Sequence, residues 1–155
     1  MQLILWRHAE AEDDAPSDLA RQLTVKGHRQ AEKMAAWLKS QVDVGATPWR
    51  VIASPAVRTQ QTAQALGVVF ETLDEIAPDV SAQSVLKAAH WPQGNENVVV
   101  VGHQPTLGMV AAQLMNGVDG YVAVKKGAMW WFEMRQKGGT PQTVLRAMAS
   151  PDTVA

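Results

Sequence analysis

Asn97-Val98-Val99-Val100-Val101-Gly102-His103 is the stretch that decides the fold. Four consecutive β-branched residues leave no polar face, so Val98 to Val101 reads as a strand buried on both sides. Such a strand belongs to a mainly parallel sheet with helices packed above and below it. Outward from this run, short apolar segments alternate with helical patterns. Leu3 to Trp6, Arg50 to Ala53 and Val68 to Leu73 read as three further strands. Thr24 is the expected N-cap of a helix reaching about Ser40, with Ala31, Met34, Ala35 and Leu38 on one face. Ser54-Pro55 opens a second helix, serine as N-cap and proline at the first helical position, and Gly67 closes it as a left-handed cap. Ser81 to about His90 and Thr106 to Met115 read as the third and fourth helices, the last ending near Asn116-Gly117. Two late strands, about 128–134 and 143–148, are joined by the turn signal Lys137-Gly138-Gly139-Thr140-Pro141. No helix separates them, so they are expected to be antiparallel. The prediction is an α/β three-layer sandwich. Its central sheet is mixed but mainly parallel, flanked by helices, with the antiparallel pair at one edge. Alternation along the strand puts Trp130 and Trp131 on opposite faces, as core or as an exposed contact patch.

The 155 residues predict a single domain, 1–155, that buries about two-thirds of its unfolded surface without a metal or disulfide staple. The absence of cysteine removes disulfide scaffolds, cysteine-ligated metals and cysteine nucleophiles. A formal net charge of −1 argues against a general nucleic-acid binder, which needs a basic face. No apolar run approaches the roughly 18 residues of a membrane span. The opening Met-Gln-Leu-Ile-Leu-Trp-Arg-His has no basic n-region, so it is not read as a signal peptide. The expectation is a cytoplasmic protein with no nucleic-acid or membrane partner. No residue pattern specifies an oligomeric state.

The unusual polar residues follow strands. Arg7-His8 follow the first, Ser54 and Arg58 the second, and Gly102-His103 the valine strand. Ligands of open parallel sheets bind outside the carboxyl ends of the strands. If the three strands run parallel, one rim carries two arginines, two histidines and a helix N-terminus. Guanidinium forks and free helix N–H groups suit a dianionic tetrahedral group. Taken singly, each residue has an ordinary explanation: Arg7 and Arg58 as surface charges, His8 and His103 as strand-end histidines, Ser54 as a helix start. Two of only four histidines meeting two arginines at three strand ends is hard to obtain by chance.

Leu5-Trp6-Arg7-His8-Ala9-Glu10 resembles the Arg-His-Gly signature of the histidine phosphatase (phosphoglycerate mutase-like) superfamily, with Ala9 where many members have glycine. Ala53-Ser54-Pro55-Ala56-Val57-Arg58-Thr59-Gln60-Gln61-Thr62-Ala63 resembles its second motif, and Val101-Gly102-His103-Gln104-Pro105 its third. Leu23-Thr24 with Gly27 also fits its first helix. The resemblance spans about residues 1–150 and is greatest to the short SixA-type phosphohistidine phosphatases.

The resemblance implies a hydrolase without metal or other cofactor, in which His8 is the nucleophile and becomes phosphorylated. Arg7, Arg58 and His103 would hold the phosphoryl oxygens, with Arg21 and Ser54 as further substrate-binding candidates. Their positive charge would also keep the His8 ring neutral. No zinc-type motif accompanies the histidines. Glu75, after the third strand, is the positional candidate for a general acid. Glu10 and Glu12 to Asp14 read as a solvated acidic loop. Little chain is left for an insertion over the pocket, which favours a phosphorylated protein side chain over an enclosed metabolite. The implied partner is a phosphohistidine-carrying protein, a histidine phosphotransfer domain or a phosphotransferase-system carrier. The alternatives are a small-molecule phosphomonoester phosphatase of the same superfamily and a non-catalytic phosphate-binding module.

Overall fold

The structure is a computed structural model that describes residues 1–154. Six strands form one sheet: β1 (Gln2–Arg7), β2 (Trp49–Ala53), β3 (Glu71–Thr72), β4 (Asn97–Gly102), β5 (Met129–Lys137) and β6 (Thr140–Ala149). Four α-helices accompany them: α1 (Val25–Gln41), α2 (Val57–Gln64), α3 (Ala82–Ala88) and α4 (Thr106–Asn116). The spatial order is β3-β2-β4-β1-β5-β6. β4 pairs in parallel with β1 on one side and with β2 on the other, and β3 extends the parallel set from β2. β5 runs antiparallel to β1, and β6 to β5. The sheet is therefore mixed, with the antiparallel strands at one edge.

The valine strand explains the layering. Val98 and Val100 face one core with Leu3, Leu5, Ile52 and Phe132, covered by Val85 and Leu86 of α3 and Leu107, Val110 and Ala111 of α4. Val99 and Val101 face the other core with Ile4, Trp6 and Val51, covered by Met34, Ala35 and Leu38 of α1 and Ala63 of α2. Alternate valines thus fill both cores, and β4 is the central ladder of the parallel set. Trp130 and Trp131 divide in the same way, one to each core, and both are buried rather than forming an exposed patch.

Several expected boundaries move. α1 starts as read, with the Thr24 hydroxyl accepting from the Gly27 N–H at 2.9 Å. α3 is capped by Ser81 and ends at Ala88, short of His90. α4 ends at Gly117, which takes the left-handed conformation. Ser54 is not the N-cap of α2: the cap position falls on Ala56, with no side-chain cap bond, and Pro55 precedes it. The Ser54 hydroxyl accepts from Ala56 N, the cap residue itself, at 3.2 Å. α2 also stops earlier, at Gln64, and the left-handed Gly67 closes the turn beyond it. The third strand contracts from Val68–Leu73 to Glu71–Thr72, because β3 lies at the sheet edge and meets only the end of β2. The late hairpin is longer than expected, its strands meeting across Gly138-Gly139, both with positive φ.

Candidate active site

Because β1, β4 and β2 are neighbours and parallel, their carboxyl ends lie side by side. Arg7 is in register with Gly102, and Ala53 with Val101. The ladder continues one residue past the strands: His8 N donates to Gly102 O and Ser54 N to Val101 O, each at 3.1 Å. Backbone hydrogen bonds therefore fix the starts of all three motifs. Gly127 N donates to His8 O at 3.0 Å and ties the loop before β5 to the same point.

His8 is buried. Its Nδ1 lies 2.8 Å from Ala9 O. A carbonyl oxygen only accepts, so Nδ1 carries the proton and Nε2 keeps a free lone pair. Burial pushes the His8 pKa down to about 4; the Ala9 hydrogen bond works against this, while the charges of Arg58, Arg7 and Arg21 add to it. His103 is buried 5.4 Å away, centroid to centroid. Its Nε2 is 2.7 Å from Ser54 Oγ, which also accepts from Ala56 N at 3.2 Å. Burial, then Arg58 and His8, push its pKa down to about 3. Both rings are neutral near pH 7.

Arg58 enters from the first turn of α2 with its side chain buried. It donates to Asp18 O at 2.7 Å and to Asp18 Oδ2 at 3.1 Å. Burial would raise the Asp18 pKa, but Arg58 and Arg21 hold it below the ordinary carboxylate value. Arg7 donates to Val124 O at 2.8 Å. The Nε atoms of Arg7 and Arg58 and Nδ1 of His103 are buried with no protein hydrogen-bond partner. An unmade buried hydrogen bond costs about 1–3 kcal/mol. An oxyanion can accept from the two guanidiniums, and from His103 in the tautomer whose Nε2 accepts from Ser54 Oγ. Arg21 donates to Glu12 O at 2.8 Å and pairs with Asp18 and Asp13.

A cavity of about 270 Å³ is lined by Arg7, His8, Arg21, Arg58 and His103, together with Asp18, Asp79, Gln104 and Lys126. Ser54 supports it from below through His103. Glu75 does not reach it: this residue is exposed on a 3-10 turn, Asp74–Ile76, and Asp79 of the following loop lines the cavity instead. Glu10 is not free in solvent either. Its carboxylate accepts from Thr24 Oγ1 at 2.8 Å and its carbonyl from Thr24 N at 3.0 Å, fastening α1 beside His8. Sequence reasoning missed Thr62, whose Oγ1 accepts from Ala9 N and donates to Arg58 O, joining the first motif to the second. The i, i+4 spacing of Arg58 and Thr62 is the signal that could have found it. No sequence signal marks Asp18, which meets Arg58 from 40 residues away. Among the described residues, no group of three or more His, Asp or Glu side chains could hold a metal ion.

A mainly parallel sheet that gathers two neutral imidazoles and two guanidiniums at one rim makes a site suited to a phosphate-like dianion. The chain belongs to the histidine phosphatase superfamily: residues 3–80 match the model of its branch 1. It is 36% identical over 126 residues to the phosphohistidine phosphatase SixA of Escherichia coli (strain K12), covering 76% of each chain. It is 31% identical to the SixA homolog of Haemophilus influenzae, covering 97% of each. In three dimensions it is similar to the protein histidine phosphatase SixA complexed with tungstate, with a TM-score of 0.81, 29% identity and 98% of each chain covered.

Proposed function

We propose that this protein is a metal-independent phosphohistidine protein phosphatase that works through a phosphorylated His8. One observation carries the reading. His8 is a buried, neutral imidazole whose Nδ1–H is held by Ala9 O, leaving the Nε2 lone pair in a cavity shared with Arg7, Arg58 and His103. A neutral ring needs no deprotonation before attack. Nε2 attacks phosphorus in line, the P–N bond to the substrate imidazole breaks, and that imidazole leaves, taking a proton from bulk water through the open cavity mouth. Water then attacks the phosphorus on His8, releasing inorganic phosphate and restoring the neutral ring. Arg7 and Arg58 neutralise the charge spread over the phosphoryl oxygens, and His103 hydrogen-bonds to it. Arg21, at the cavity edge, adds positive charge, and Ser54 orients His103. Glu75 does not line the cavity, so this reading assigns it no role as the acid. An imidazole leaves phosphorus more readily than an alkoxide does, so the reaction depends little on one.

The small, rim-level cavity suits a phosphorylated side chain presented by another protein. A histidine phosphotransfer domain or a phosphotransferase-system carrier, met in the cytoplasm during signal transduction, fits this chemistry. The names of the E. coli and H. influenzae relatives support the substrate class, and tungstate, bound in the similar structure, is a tetrahedral dianion like phosphate.

In the test, the protein and its His8→Ala variant are given a ³²P-labelled phosphohistidine domain, and both phosphate release and label on the enzyme are measured. The expected outcome is label trapped on His8 and loss of at least about 10³-fold in rate in the variant. Full activity of His8→Ala removes the assignment. Strong turnover of a phosphomonoester panel with none on phosphohistidine makes this a small-molecule phosphatase. Phosphate binding without labelling makes it a binding module.

A further inference from the structure

A second concave feature adjoins the catalytic cavity. It is a groove of about 510 Å³ whose charged lining is five cations, Lys26, Arg29, Lys33, Lys125 and Lys126, against one carboxylate, Asp152. In a chain of net charge −1 this is a concentrated positive field. One wall is a stripe of α1, with Lys26, Arg29 and Lys33 at helical spacing on one face and all exposed. The other wall is the loop 125–126 and the turn at Pro151-Asp152. Lys33 Nζ donates to Pro151 O at 2.8 Å, which joins the two walls, and Lys125 pairs with Asp152 at 2.9 Å within the second wall. Among the described residues, Lys26, Arg29 and Lys126 have no acidic side chain within ion-pair distance.

Two further features separate this groove from scattered surface lysines. Lys26 sits in the first turn of α1, where the helix dipole disfavours a cation; the turn itself holds no acidic residue, and the Glu10 carboxylate at its start is bonded to the N-cap Thr24. A local rule broken without structural gain is expected where function requires it. The groove also borders the catalytic cavity, because Lys126 lines both, and its neighbour Gly127 is bonded to the His8 backbone. The segment after the first motif carries the exposed Glu12, Asp13, Asp14 and Asp18, none of which lines the groove.

We infer that the groove is a docking surface for an acidic face of the phosphoprotein substrate, seated beside its phosphorylated histidine. This rests on the phosphohistidine protein reading above. Attraction at the groove favours approach with the acidic face of the substrate turned towards it. Such complementarity acts chiefly on the association rate and is weakened by salt.

The test compares the wild type with Lys26→Glu/Arg29→Glu on two substrates, a phosphorylated histidine phosphotransfer domain with an acidic surface and the free amino acid phosphohistidine. The expected result at low salt is a fall of about tenfold or more in kcat/KM on the domain, shrinking as salt is added. Turnover of free phosphohistidine stays unchanged, and Lys26→Arg/Arg29→Lys behaves as wild type. An equal fall on both substrates, or no fall on the domain, overturns the inference. Binding of poly-L-glutamate by calorimetry tests the groove without catalysis: loss in the charge-reversed variant supports it, and undiminished binding overturns it. Tighter wild-type binding to duplex DNA than to poly-L-glutamate also overturns it. A wild type that hydrolyses neither phosphohistidine yet binds poly-L-glutamate through Lys26 and Arg29 refutes the proposed function, and with it the substrate-docking role, while showing that the groove binds acidic chains.

Discussion

Two imidazoles 5.4 Å apart, buried beside two guanidiniums, have one affordable protonation state at neutral pH: both rings uncharged. That state makes His8 usable as a nucleophile, and it has a measurable cost in acid. In the unfolded chain both histidines titrate near 6.5. In the folded protein they titrate at about 4 and about 3. As pH falls from about 6.5 towards those values, the unfolded chain takes up protons that the native chain refuses, so stability is lost across that window. Each histidine is expected to contribute about 2 kcal/mol of this loss between pH 7 and pH 5. Urea unfolding at the two pH values measures it, and His103→Gln should flatten the dependence. An NMR titration of the His8 ring should show a midpoint near 4; a midpoint near 6.5 would contradict the packing described here. At this scale the sequence was informative about identity but silent about partners. Arg7, His8, Arg58 and His103 stood out because they follow strands. The hydrogen bond of Ser54 to His103 and the capture of Asp18 by Arg58 join residues 49 and 40 positions apart, beyond any local pattern.

Among the elements, the strongest reading was the valine strand, whose composition leaves it no solvent face; it lies in mid-sheet with alternate side chains in the two cores. The weakest was the third strand, where Val68 to Leu73 is apolar enough to pair but only Glu71–Thr72 does so. An edge position offers one neighbour, and propensity there yields to tertiary context. Helix α1 shows the opposite case, a local detail set by close approach. A Cβ built on Gly27 would lie 2.0 Å from Glu10 O, a backbone atom two residues past His8. Gly27→Ala should therefore push α1 away from the first motif and destabilise the protein by about 3 kcal/mol, read by thermal or urea unfolding. Activity should fall with it, because Glu10, Thr24 and Gln30 bond α1 to the segment that carries His8. A neutral outcome would mean that the contact relaxes without disturbing the site.

For the molecule as a whole, β1, β2 and β4 contribute side chains to both cores, so neither helical layer can melt without exposing the strands the other needs. We expect residues 1–155 to unfold as a single domain, with near-ultraviolet circular dichroism from the buried tryptophans and far-ultraviolet signal coinciding in one transition. Two separated transitions would refute it. The sequence by itself determined the alternation of strands and helices, the antiparallel hairpin and the four residues after three strand ends. Those follow from side-chain chemistry and spacing along a local stretch of chain. Only the tertiary structure decided that β1, β4 and β2 are adjacent. It alone placed Asp18, Thr62 and Asp79 at the site, left Glu75 outside it, and brought the cations of α1 opposite Lys125 and Lys126. Such meetings depend on strand order and on which loops share a rim, and sequence distance carries no record of either.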